Sequence, residues 1–249
     1  MSKKSKIREC PAAGQTITST ECGAGRGSRY ACPLECPHYP FSVANYEQMM
    51  AIDVELMSKL ISRLNSERSH LVLGSHETGV YTHMPELRDL VADTVVAFLC
   101  ARDAEGRSLT QRWEQVGFAG LSNDEQVLLK YRAAGRVWFL DVQRGLGPTC
   151  VEVVNLLAPE SGPLVLADKG VAASGGATEI LVGVAVQMPG YLRLSGGVVG
   201  VPGLAPGEAL PWFEKLITGL GGPADCAAWP GWWLTHARQA AKAVADLRR

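Results

Sequence analysis

The chain has 249 residues, 47% of them hydrophobic and 20% charged, with a net charge of −1. That balance excludes a disordered chain and suffices for one large domain or two modest ones. The longest apolar runs, such as Ile180 to Val186, fall far short of the ~20 residues a membrane helix needs, and no apolar run follows the basic start MSKKSKIREC as it would in a secretory signal. The expected setting is therefore the cytoplasm, with no membrane partner.

The first forty residues differ from the rest. They carry Lys3, Lys4, Lys6, Arg8, Arg26 and Arg29 against Glu9, Glu21 and Glu35, a net of +3, which leaves −4 for the remainder. They also hold Cys10, Cys22, Cys32 and Cys36, spaced C-x11-C-x9-C-x3-C, with proline after three of the four. In a reducing compartment such a cluster points to a metal site more than to disulfides. Four thiolates close a tetrahedral zinc site, and the three residues between Cys32 and Cys36 fit the usual spacing within one half of it. The large apolar residues of this stretch are few, Ile17, Tyr30 and Leu34, so some cross-link is expected to fix its shape; bound metal supplies on the order of ten kcal/mol. The three glycines between Cys22 and Cys32 let backbone amides turn toward sulfur, and Arg26 and Arg29 offset thiolate charge. An iron–sulfur cluster takes the same four cysteines, although the spacing departs from ferredoxin runs. His38 is a substitute ligand or a surface imidazole. Cys100, Cys150 and Cys226 read as small buried hydrophobes.

The pattern then turns helical. Apolar residues recur at three- and four-residue steps from Asn45 to about Leu64, with Ser42 or Asn45 as N-cap. His70, His76 and His83, with Glu77, Glu86 or Asp89, form at most a poorly spaced second metal set. Met84 to Ala101 reads as a second helix with Pro85 in its first turn, and Ser108 to Val116 as a short third. Ser122 followed by Glu125 is a capping-box signature for a fourth.

From Arg136 the period falls to two. RVWFLDVQ, TCVEVVNLL, PLVLAD, EILVGVAVQM and YLRLSGGVVGV read as five strands with no helix between them, predicting an antiparallel barrel or sandwich. GEALPWFEKLITGL closes it with a helix. Trp229, Trp232 and Trp233 in the tail read as cover for a core seam, or as a platform for a stacked ligand. No nucleotide-binding glycine motif, GxSxG or HExxH is present. Asp141, Glu152 and Asp168 lie on predicted strands, and convergence of two of them would give an acid–base pair.

The head CP…ECGAGRGSRYACPLECPHYPFS, taken with RVWFLDVQRGLGPTCVEVVNLL and the strands after it, resembles a group of uncharacterised bacterial proteins with an N-terminal four-cysteine motif and a β domain, some of them linked to SEC-C-type zinc motifs. The resemblance covers about the first 45 residues and 136–200. It implies a metal site at Cys10, Cys22, Cys32 and Cys36, and no substrate. The chain lacks the C-x-C start and the paired end of the SEC-C motif itself.

The expected fold class is thus α+β: a four-cysteine metal-binding module over 1–44, a helical region over 45–135, an antiparallel β domain with its closing helix over 136–220, and a Trp-rich helical tail over 221–249. The expected function is that of a zinc-stabilised binding or adaptor protein, with a protein partner favoured over nucleic acid. An enzyme with an acidic site in the β domain, or an iron–sulfur redox protein, is the alternative.

Overall fold

The computed structural model describes residues 6–67, 70, 87–174 and 179–246. The fold is mixed α+β, built around a closed barrel of five strands.

The head opens with a hairpin of β1 (Ile7–Cys10) and β2 (Gln15–Thr18), paired Ile7 to Thr18 and Cys10 to Gln15. The turn between them uses Gly14 at φ +62°, a backbone conformation that costs glycine little. Helix α1 (Ser19–Gly25) follows at once because Thr18 and Glu21 cap it reciprocally: the Thr18 hydroxyl accepts from the Glu21 N–H at 3.1 Å, and the Glu21 carboxylate accepts from the Thr18 N–H at 2.8 Å. The sequence pattern predicts no secondary structure for this segment, so the hairpin and helix are additions to it.

The helical region matches the expected periodicity. Helix α2 (Tyr46–Glu67) buries Met49, Leu56, Leu60 and Leu64. Helix α3 (Leu87–Cys100) is described from Leu87 onward, so Met84 and Pro85 lie outside the described residues. Helices α4 (Leu109–Gln115) and α5 (Asn123–Ala133) each begin with a complete capping box, on Ser108 with Gln111 and on Ser122 with Glu125.

The five strands expected after Arg136 all form: β3 (Arg136–Gly145), β4 (Cys150–Asn155), β5 (Leu164–Ala167), β6 (Glu179–Met188) and β7 (Tyr191–Pro202). They close in the order β3-β4-β5-β7-β6. Two details correct the sequence expectation. Helix α6 (Lys169–Ala173), capped by the Asp168 carboxylate, lies between β5 and β6, where the sequence predicts only a glycine-rich separator. It goes with the second correction: β7 meets β5 in parallel at Leu166 and Leu192, so the sheet is not wholly antiparallel. The β6–β7 hairpin returns beside β5 rather than beside β4, and that closes the cylinder. Gly196, at φ +114°, sits in the register shift between β6 and β7, where an irregular step bends the pair.

Alternation fills the barrel. Trp138, Leu140, Val142, Val151, Val153, Leu166, Leu181, Ala185 and Leu192 form the interior. Opposite residues of the same strands face two helical layers. Phe139, Ile180, Val182 and Val201 pack under α7 (Pro206–Gly219) and α8 (Trp229–Asp246). The Phe139 ring meets Phe213 edge-on at 5.1 Å and Trp233 at 5.5 Å. Trp229 and Trp233 are therefore buried cover for a seam. Trp232, only partly buried, stacks on His236 at 4.7 Å. On the other side Val186, Met188 and Tyr191 join the core that holds α2, α5 and the end of the head.

Candidate functional site

The four head cysteines come from different local structures. Cys10 ends β1, and its carbonyl accepts from Ala13 and Gly14 in the hairpin turn. Cys22 lies inside α1. Cys32 follows a turn closed by the Tyr30 N–H on the Gly25 carbonyl at 2.8 Å. Gly25 is required there, because a Cβ would fall 2.5 Å from the Tyr30 ring. Cys36 sits in a chain of turns, donating its N–H to the Pro33 carbonyl and accepting from the Tyr39 N–H. Cys10, Cys22 and Cys36 are buried and Cys32 is half-buried; no disulfide joins any of the seven cysteines.

Electrostatics tie the four together. Burial pushes the Cys32 thiol up; Arg26 opposes that shift, and the charges of Cys36, Cys22 and Cys10 add to it. Two guanidiniums attend one sulfur: Arg8 Nη1 at 3.8 Å and Arg26 Nη2 at 3.7 Å from Cys22 Sγ. Arg26, 2% exposed, also donates to the His38 carbonyl at 2.9 Å and pairs with Asp124. Burial works against its charge, but Asp124 and Cys22 outweigh that cost and leave its pKa raised. His38 is pushed down by burial and by the neighbouring charges of Arg8 and Arg26. An imidazole kept neutral in this way has a lone pair to offer.

Among the described residues, no group of three or more His, Cys, Asp or Glu side chains stands assembled to hold a metal ion. The sulfurs share a field without being gathered at one point. The apolar packing among them is thin: Cys10, Ile17 and Cys22 are buried together, with Ala13 and Tyr30 beside them.

The head is docked as well as folded. Asn123 Nδ2 donates to the carbonyls of Gly23 and Arg26, both at 2.8 Å, and Gly27 lies so close to Val127 that a Cβ would sit 2.9 Å from it. The α5 N-terminus thus grips α1 and its following turn. Sequence reasoning misses this grip. Its one signal is Asn-Asp directly after the Ser122 cap, a pair exposed on the first turn of a helix and free to bond elsewhere.

The three barrel acids do not converge on one task. Asp141, 5% exposed, accepts from Gln143 at 2.6 Å, and burial pushes its carboxyl up. Glu152 forms an ion pair with the exposed Arg144 at 2.9 Å. Asp168 accepts from the Val171 N–H as the cap of α6. His70 is exposed, and His76 and His83 lie outside the described residues, as do Glu77 and Glu86. Cys150 is buried as expected, whereas Cys226 is exposed, which corrects that expectation: the short turn it begins leaves it at the surface.

The connectivity is a three-strand meander followed by a short helix and a hairpin, with one parallel contact. Opposite the barrel interior, β4 carries Cys150, Glu152 and Val154 and β5 carries Val165 and Ala167; Cys150 and Ala167 are buried in the core shared with α2 and α5, so this side of the two strands is covered there. Comparison with protein-family models, curated proteins and solved structures finds no match to this chain. No helix among the described residues is long and apolar enough to cross a membrane.

Proposed function

We propose that the head is a zinc-stabilised module held by Cys10, Cys22, Cys32 and Cys36, and that the protein is a binding or adaptor protein whose partner is another protein. The observation that carries the reading is that Cys10, Cys22 and Cys36 are buried and Cys32 half-buried with all four thiols free, while two guanidiniums stand 3.8 and 3.7 Å from the Cys22 sulfur. Arg8 and Arg26 beside Cys22 suit a thiolate, the form that binds metal.

A protein partner fits better than nucleic acid. The head exposes Ile7 at 74% and Leu34 at 40%, large apolar side chains that suit a protein partner better than phosphate. Arg26, the most central cation, is spent on Asp124 and Cys22. The enzyme reading keeps Asp141 alone, since Glu152 and Asp168 already have structural work.

Elemental analysis of the purified full chain tests the proposal. One zinc per chain is expected, lost in Cys32→Ser. A brown protein with one cluster's worth of iron assigns the same cysteines to iron–sulfur chemistry instead. Equal metal content in parent and mutant, or none in either, overturns the module.

A further inference from the structure

Strand β7 alternates in an unusual way. Leu192 lies in the barrel interior with Leu194 packed against it, as the period of two requires. The outward residues are Tyr191, Arg193 and Ser195, a polar row of the kind that ordinarily faces water. All three are buried, with exposures of 2%, 5% and 5%. Helices α2 and α5 cover them and bring two more charges. Asp53 accepts from Arg132 Nε at 2.7 Å and pairs with Arg193 Nη2; Arg132 Nη1 donates to Ser195 Oγ at 2.6 Å.

The charges do not balance. Two guanidiniums share one carboxylate, so the cluster carries one excess positive charge inside the protein. Burial pushes Arg132 down, Asp53 opposes that shift, and Arg193 adds to it by repulsion. Arg193 is also short of acceptors. Its Nη2 meets Asp53 and, at 3.2 Å, the Met50 sulfur, but its Nε and Nη1 are buried with no hydrogen-bond partner among the described residues. The hydroxyl of Tyr191, two residues away on the same face of β7, is also buried and unpartnered among them. Burial keeps that phenol protonated and therefore a donor. Donors left unpaired in an interior cost more than they would in water, and a charged one costs most. A buried water would answer the hydrogen bonds and leave the charge; an anion answers both.

We propose that this cluster is a binding site for one small monovalent anion, of the size of chloride or formate, held by one unpaired N–H edge of Arg193, at Nε or at Nη1, and by the Tyr191 hydroxyl. The occupant is small because the site lies within the packed core between α2 and β7. It is monovalent because one charge is in excess. Its role is to complete the joint between α2 and the barrel, so anion binding and the firmness of that joint are linked. The site does not depend on the cysteine head.

The test exchanges the full chain into sodium gluconate, whose anion is too bulky for the core, then replaces gluconate by chloride or formate at constant ionic strength. The melting midpoint should rise with the logarithm of the small anion's concentration, as expected when a ligand binds only the folded state. Tyr191→Phe, which keeps the ring, should weaken the apparent affinity on the order of tenfold, the worth of one hydrogen bond to a charged group. Arg193→Met leaves Asp53 and Arg132 as a balanced pair and should abolish the response. An anion that survives exchange is counted by ion chromatography of the denatured protein, one per chain in the parent. Neither a retained anion nor a midpoint shift, or the same response in parent and both variants, overturns the site and leaves buried water in its place.

Discussion

Nine buried side chains from all five strands fill the barrel, while the cysteine head buries Cys10, Ile17 and Cys22 among themselves. The barrel is held by its own alternation, and hydrophobic burial is proportional to the area removed from water. The head has too little area for that. It relies on borrowed support: Asn123 and Asp124 of α5 clasp its helix and turn, and Cys36, Tyr39 and Phe41 are inserted into the core of the body. Docking thus supplies part of the order that the sequence assigns wholly to a cross-link. A core-poor segment can be shaped by a neighbour, by a metal, or by both, and the proportions are measurable.

The barrel side of the contrast gives the largest expected effect. Phe139→Ala removes a ring packed edge-on to Phe213 and Trp233 and should cost about 3–5 kcal/mol of global stability in urea denaturation. A loss confined to the tail would show that the barrel and its Trp cover are separate units. Asp53→Ala leaves two buried guanidiniums without their carboxylate and should cost about 3–5 kcal/mol by the same measurement.

The same group sets a pH dependence. Burial acts to raise the Asp53 pKa, but Arg132 and Arg193 outweigh it, so it lies below the usual value. The unfolded chain therefore takes up its proton first as pH falls. The stabilisation is whole above roughly pH 4, the ordinary aspartate value, and is lost below it as the pH drops toward the depressed folded pKa. Denaturation midpoints measured from neutral pH down to acid should fall along the acid limb, and less steeply in Asp53→Ala.

Chelation sharpens the contrast on the other side. Removing the proposed zinc should raise hydrogen exchange across the head, from β1 to Glu35, while amides of β3, β6 and β7 stay protected. Protection lost in both regions alike would mean that the head is no separate unit. The smallest effect is expected at the clasp. Ser122→Ala removes the α5 cap, costs about 1 kcal/mol, and should speed proteolysis of the head more than that of the barrel, because α5 begins with the residues that hold it.

Legibility followed periodicity. The capping box at Ser122 and the five strands from Arg136 could be read because caps and alternation are local signals. Helix α6 could not: KGVAA is five residues beside a run of glycines, and its one cue, Asp168, reads equally well as a strand acid. The head hairpin is hidden for a related reason, since four-residue strands such as Ile7–Cys10 carry too few alternations to register.

Taken alone, the sequence determined that five strands follow Arg136, because a period of two is a local signal. It also determined that four cysteines lie close along the chain. Only the tertiary structure decided that the polar row Tyr191, Arg193 and Ser195 is buried rather than wet, and that one carboxylate, Asp53, 140 residues away from Arg193, is set against two arginines. The reason is that alternation fixes the side of a strand on which a residue lies, whereas what covers that side depends on elements far away in the chain.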